Sequence, residues 1–151
     1  MRIRLNIRGI CCLRPGVKGL SENISVVSIV DRFLEHARLF FFYHGGDERV
    51  FISSADWMPR NLDRRVELLI PIEDKVCRTR LISIMETYFD DNVKAKKLLA
   101  DGSYSKVKPG KSTAHRSQEA LFREICEIGR LAENSRRTVF EPYRAPESKT
   151  A

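Results

Sequence analysis

With 151 residues, 42% of them hydrophobic, the chain suits one globular domain with a core of its own. No apolar run approaches the roughly 20 residues of a membrane span, and an N-terminus already polar at Arg2 and Arg4 is no secretory leader, so a soluble protein is expected. The formal charge of +7 is concentrated: residues 1–20 hold five Lys or Arg and no acid, residues 75–116 hold ten against four acids, and fields of that sign draw polyanions. Four cysteines, at 11, 12, 77 and 126, form neither a CxxC pair nor a metal-ligand spacing, which points to reduced thiols in a cytosolic protein.

In chain order, Arg2–Arg8 alternates strictly, with Ile3, Leu5 and Ile7 on one face and Arg2, Arg4, Asn6 and Arg8 on the other, the pattern of a strand with a basic side. Gly9, Pro15, Gly16 and Gly19 mark a loop, and the β-branched run Ile24–Val30 reads as a second strand. Asp31–His36 reads as a helical turn, followed by an aromatic, buried central strand at Arg38–Tyr43. His44-Gly45-Gly46-Asp47 is a hairpin signal, so Arg49–Ser54 is expected to return antiparallel. A further strand, Arg65–Ile70, ends at Pro71. Asp74 then caps an amphipathic helix to about Phe89. Residues 92–100 form a short element, and Tyr104–Lys108 an exposed basic segment between Asp101-Gly102 and Pro109-Gly110. Ser117–Ala132 carries Ala120, Leu121, Ile125, Ile128 and Leu131 at helical spacing, and residues 134–151, without any period, are expected to be a disordered tail. The fold class implied is α+β, one domain over 1–133 with the tail at 134–151.

Chemistry concentrates at His36, which the turn before Leu39 places where a strand begins. Arg38 is two residues on. Taken alone, His36 is better explained as an ordinary partly buried histidine, and it is the neighbouring residues that favour a ligand. Near it in sequence, Ser53–Glu67 packs charged and amide groups around Trp57 between apolar strands. Asp56, Asp63 and Glu67 suit pairing with Arg38, Arg60, Arg64 or Arg65 as well as they suit ligand contacts; metal binding by Asp56 and Glu67 is the weaker alternative.

Four stretches, Arg8-Gly9-Ile10-Cys11-Cys12-Leu13-Arg14-Pro15-Gly16, Gly19-Leu20-Ser21-Glu22-Asn23-Ile24, Arg32-Phe33-Leu34-Glu35-His36 and Ser53-Ser54-Ala55-Asp56-Trp57-Met58 with Arg60-Asn61, together resemble the C-terminal catalytic domain of bacterial polyphosphate kinases of the phosphohistidine type. The resemblance runs in one order from about residue 7 to residue 130. It implies a phospholipase D-like fold, a mixed β-sheet flanked by helices. It also implies reversible transfer of the terminal phosphate of ATP to inorganic polyphosphate, with ATP or ADP and polyphosphate as partners. Magnesium is the implied cofactor, with ligands outside this chain. Carried over by motif, the nucleotide-phosphate contacts fall on Arg8 and His36, with Arg38 as a further phosphate clamp. The histidine that is phosphorylated lies, in this family, in a preceding domain. The chain is therefore expected to be an inactive fragment on its own, working with the remaining domains of one polypeptide, homo-oligomeric at full length, and cytoplasmic with membrane association open for the whole enzyme.

Two rival functions come from the same residues. Phospholipase D-type hydrolases use His-x-Lys-x4-Asp, but here His36 is followed by Arg38 in the lysine's place and Tyr43 in the acid's, while Ser53-Ser54-Ala55-Asp56 approximates Gly-Ser-x-Asn. An arginine still clamps phosphate. Without the acid, His36 suits phosphate binding or proton donation more than nucleophilic attack. The second rival, a basic nucleic-acid-binding module, is permitted by charge, yet the sequence offers no paired exposed aromatics for base stacking, and no specific nucleic acid is expected. Alternation places Arg8 at one end of the first strand, and His36 is expected at the end of a neighbouring strand, so that both face one anion.

Overall fold

The structure, a computed structural model, describes residues 1–135. Of the expected tail, only Asn134 and Ser135 fall among these, as the end of a helix; the rest of 134–151 lies outside the described residues. Seven strands and three helices follow one another: β1 (Ile3–Asn6), β2 (Ile24–Ile29), β3 (Leu39–His44), β4 (Asp47–Ser53), α1 (Pro59–Leu62), β5 (Leu69–Pro71), α2 (Lys75–Phe89), β6 (Ala95–Leu98), β7 (Tyr104–Lys106) and α3 (Ser117–Ser135). The α+β class holds, with the strands divided between two sheets.

The first sheet has the order β1-β2-β6-β7 and is mixed. β1 runs parallel to β2, with Ile3 beside Ile24 and Asn6 beside Val27, while β6 and β7 are antiparallel to their neighbours. Parallel neighbours need a crossover. Here it is an irregular loop over residues 7–23, closed by the buried Ser21: its hydroxyl donates to the Arg14 carbonyl at 2.5 Å and accepts from the Val17 N–H at 3.1 Å. Val26, Ile29, Ala95 and Leu98 come from the two central strands and make most of the core. β7 was legible only as an exposed basic segment, because its three residues carry no apolar alternation.

Helix α2 meets this sheet at its edge strand β1, through Arg4. The guanidinium lies 4.0 Å from the centre of the Phe89 ring and pairs with Glu86 at 2.8 Å, so the basic side of β1 rests on a helix. The helix starts where Asp74 accepts a hydrogen bond from the Cys77 N–H at 2.7 Å, as its sequence predicts. It also touches β3, β4 and α3, and Arg80 of α2 meets Glu124 of α3 at 3.5 Å.

The second sheet, β3-β4-β5, is antiparallel throughout. Its hairpin turn uses Gly45 and Gly46 at φ +59° and +93°, the backbone region that the sequence signal requires. The aromatic strand is not the buried centre expected for it. β3 lies at the edge and exposes Phe41, Phe42 and Tyr43, while β4 occupies the middle with Val50 buried. Aromatic content marked the strand correctly and its burial wrongly, since the rings find only partial cover, Phe42 from the edge of Phe51. β5 is also shorter than expected, beginning at Leu69. All four cysteines are unpaired.

Asp91 joins the two ends of the domain. It is 2% exposed, its Oδ1 accepts from the N–H groups of Val93, Lys94 and Ala95, and its Oδ2 accepts from both the N–H and the hydroxyl of Ser117. One carboxylate thus fixes the entry of β6 and the first residue of α3.

Candidate functional site

Between β2 and β3 the chain crosses from one sheet to the other through residues 30–38, which adopt no regular secondary structure. The helical turn expected over Asp31–His36 is absent because side chains from elsewhere take its hydrogen-bonding groups. Asp31 is gripped by Arg116, whose Nε and Nη2 each reach a different carboxylate oxygen at 2.7 Å. This fork holds the Asp31 carboxyl below its ordinary pKa and raises that of Arg116. Gln118 pairs with Phe33 as a strand neighbour would: Phe33 N–H donates to its Oε1 at 2.8 Å, and its Nε2 donates to the Phe33 carbonyl at 2.9 Å. The same Nε2 lies 2.7 Å from Glu35 Oε1, while the Tyr88 hydroxyl donates to Oε2 at 2.7 Å. Burial first, and Glu35 second, push the Tyr88 phenol well above its ordinary range, so it stays a donor.

This clamp presents His36 and Arg38. The Arg38 Nη1 stands 3.1 Å from His36 Nδ1 and 3.0 Å from its carbonyl oxygen, and Nη2 stands 3.3 Å from Nε2. A neutral imidazole has a single acceptor nitrogen, so only one of the two ring contacts is a hydrogen bond and the other is a packing contact. On its other side Arg38 Nε donates to Asp56 Oδ1 at 2.9 Å. That bond holds the Asp56 carboxyl below its usual range and raises the Arg38 pKa in turn. Behind Asp56, Glu67 accepts from the Ser54 hydroxyl and from Asn61 Nδ2, the latter at 2.8 Å, and both lower its pKa. Ser54 also accepts from the Leu68 N–H at 2.9 Å, Asn61 is buried, and Phe40 stacks on Trp57 at 5.7 Å between ring centres. The polar run 53–67 is therefore a scaffold under Arg38, and Asp56 and Glu67 act as pairing partners within it. Among the described residues no three of His, Cys, Asp and Glu gather to hold a metal ion.

Arg8 sits two residues past β1, exposed, without a hydrogen bond or ion pair among the described residues. The Ile7 N–H still donates to the Val27 carbonyl at 2.8 Å, so β1 and β2 finish at the same end of the sheet, and the 30–38 connector leaves from that end. The strand beside Arg8 is therefore β2, whereas His36 leads into β3 of the other sheet. Arg8 makes no hydrogen bond to His36 or Arg38. Sequence reasoning missed Glu35, Tyr88 and Gln118 as the holders of His36. A glutamine 85 residues beyond Phe33 leaves no local signal of that role.

An exposed imidazole backed by a guanidinium, on a connector fixed at three points, suits an anionic ligand. Comparison with known proteins agrees on the family. Residues 1–118 match the family model described as polyphosphate kinase C-terminal domain 2. A polyphosphate kinase of Rhodopirellula baltica is 56% identical over 145 residues, 95% of this chain and 17% of its own length. One from Pseudomonas aeruginosa is 50% identical over 127 residues, 83% of this chain and 18% of its own. The crystal structure of polyphosphate kinase from Porphyromonas gingivalis superposes with a TM-score of 0.80 at 39% identity, over 86% of this chain and 20% of that one. The chain thus spans less than a fifth of the length of these curated relatives. The arrangement of strands, connector and scaffold, together with these matches, shows that the chain belongs to the polyphosphate kinase family, of which it carries the C-terminal domain 2.

Proposed function

We propose that this chain forms the phosphate-binding part of an ATP:polyphosphate phosphotransferase, with His36 and Arg38 on the connector and Arg8 at the end of β1 contacting phosphate. The observation that carries this reading is the clamp that holds an irregular segment in place so that the His36 ring and the Arg38 guanidinium stay together. Phosphoryl transfer asks for charges positioned in advance more than for covalent chemistry from most residues, and a pinned His–Arg pair meets that demand without reorganising. In this role Arg38 takes phosphate oxygens with the donors left over from Asp56. His36 neutralises bridging-oxygen charge or hands a proton to the departing oxygen. Arg8 adds a cation from the end of β1, the end at which the connector leaves β2.

The histidine that carries the phosphoryl group, and the ligands of the magnesium that such an enzyme uses, belong in this reading to parts of the polypeptide outside this chain. Among the described residues no three of His, Cys, Asp and Glu gather as a metal site. Assembly into a homo-oligomer and a cytoplasmic location, with or without membrane association, are part of the same proposal for the whole enzyme. No helix among the described residues is long and apolar enough to cross a membrane.

Binding of ATP and of polyphosphate to this chain, and to its Arg8→Ala and His36→Ala variants, tests the reading. A charge-assisted contact of roughly 1.5–3 kcal/mol sets the expected loss at about tenfold or more for each variant. With ³²P-labelled ATP the chain alone stays unlabelled. Label on a histidine of this chain sinks the assignment of the phosphorylated residue elsewhere. Turnover of a phosphodiester by this chain favours the hydrolase reading instead, and a nucleic-acid probe that polyphosphate fails to displace favours the nucleic-acid module.

A further inference from the structure

The β6–β7 hairpin carries an arrangement of charge that the fold alone leaves unexplained. Lys96 and Lys106 are direct cross-strand partners. The ladder continues one residue further, where the Val107 N–H donates to the Ala95 carbonyl at 3.0 Å, and this brings Lys94 opposite Lys108 at the next position on the same face. Lys96 and Lys106 thus stand side by side on one face of the sheet, with Cβ atoms about 5 Å apart, and the register sets Lys94 and Lys108 just beyond them on the same side. Like charges so placed repel, and strands ordinarily avoid them.

The lysines find little compensation within the domain. Among the described residues Lys96, Lys106 and Lys108 make no ion pair, and all three are exposed. Lys94 meets Asp31 at 3.8 Å, but Asp31 already holds Arg116 at 2.7 Å. Arg4, Arg38, Arg49, Arg80, Arg116 and Arg123 each meet a carboxylate, as several other cations among the described residues, Arg8 among them, do not.

We propose that this face of the β6–β7 hairpin is a holding track for the polyphosphate chain, distinct from the His36–Arg38 site and adjoining it. The proposal rests on the phosphotransferase reading for the identity of the polyanion. Two observations favour a repeating phosphate chain over an acidic protein surface. The track is built of lysine alone, whereas the candidate site uses arginine and histidine. Lysine is a point charge on a flexible stem, which attracts any phosphate in a chain without fixing its register, while the arginine fork locks a particular one. The track also abuts the connector, since β6 begins beside the end of β2 and Lys94 touches Asp31 at the connector's root. A chain lying on the hairpin leads to the segment that carries His36.

The test uses long-chain polyphosphate, tripolyphosphate and ATP as probes, with Lys96→Gln/Lys106→Gln as the main variant and Lys97→Gln as its control. Lys97 lies on the same strand but points to the opposite face, opposite Ser105. The double variant is expected to bind long polyphosphate at least about tenfold more weakly and to lower the slope of log affinity against log salt by about 1.4, while tripolyphosphate and ATP lose less than about twofold. Its melting temperature does not fall, because two repelling charges have gone. Lys97→Gln is expected to change long-chain affinity less than about twofold. Unchanged long-chain binding in the double variant overturns the track and leaves the face to an acidic protein surface. An equal loss for ATP, or an equal cost from Lys97→Gln, also overturns it, since either reduces the effect to net charge. Should Arg8→Ala and His36→Ala leave ATP binding untouched while the lysine pair governs long-chain affinity, the phosphate-site reading fails and the track stands.

Discussion

The two sheets of this domain are built from similarly β-prone sequence and end in different states. In the four-stranded sheet the central strands bury Val26, Ile29, Ala95 and Leu98, while Arg4 ties α2 to the edge strand β1, and Asp91 and Arg116 tie α3 to the ends of β6 and β2. In the three-stranded sheet only Val50 is buried to that degree, and Phe42, Tyr43, Leu69 and Ile70 face outward, Phe42 at 54% exposure. Strand propensity wrote both; burial distinguishes them. Free energy should therefore reside in the first sheet, while the second holds its shape largely through the β3–β4 ladder.

Breaking this asymmetry is most direct at Asp91. Asp91→Ala removes the acceptor of five hydrogen bonds and strands the N–H groups that begin β6 and α3, at an expected cost of about 4 kcal/mol or more in urea unfolding. The same carboxylate predicts a pH dependence. Burial pushes its pKa up, but the donors of Ser117, Lys94 and Val93 together hold it below its ordinary value of 3.8. A carboxyl depressed on folding adds stability that is present above its unfolded pKa and is lost as pH falls through the folded one. Unfolding titrations should thus show loss setting in below about pH 4 and the loss should be flatter in Asp91→Ala.

Core truncation comes next. Ile29→Ala, at a side chain 2% exposed, should cost about 3 kcal/mol, whereas Phe42→Ala should cost less than about 1 kcal/mol despite the larger group removed. Equal losses would erase the contrast between the sheets. The smallest expected effect sharpens it at the junction: Tyr88→Phe removes one hydrogen bond to Glu35 and should cost about 1 kcal/mol. Its larger signature is local, a faster amide exchange across residues 31–38 with the two sheets unchanged.

Legibility in the sequence followed the same division. Where a signal is local, the residues carried it: the alternation of Ile3 and Leu5, the Asp74 cap, the Gly45-Gly46 turn and the helical spacing from Leu121 to Leu131 all have their counterparts in β1, α2, the β3–β4 hairpin and α3. Where structure depends on distant partners, they did not. Phe40–Tyr43 announced a strand but not which side of it would be covered. Asp31–His36 suited a helical turn until Arg116, Gln118 and Tyr88 supplied its hydrogen bonds from about 50 to 85 residues away. For the site, His36 and Arg38 were legible as neighbours in sequence, and their mutual contact follows from that spacing. The pairing of Arg38 with Asp56, one of several acids open to it, needed β3 and β4 to be placed side by side.

Gln118 has a mechanical consequence. It occupies the second position of α3, directly after Ser117, which is locked to Asp91, and its amide holds both Phe33 and Glu35. A helix turns about 100° per residue, so slipping α3 by a single residue would swing that amide away from the connector and carry Ser117 off Asp91 together. The angular position of the first turn of α3 is thus set by the same side chains that hold the connector one residue before His36.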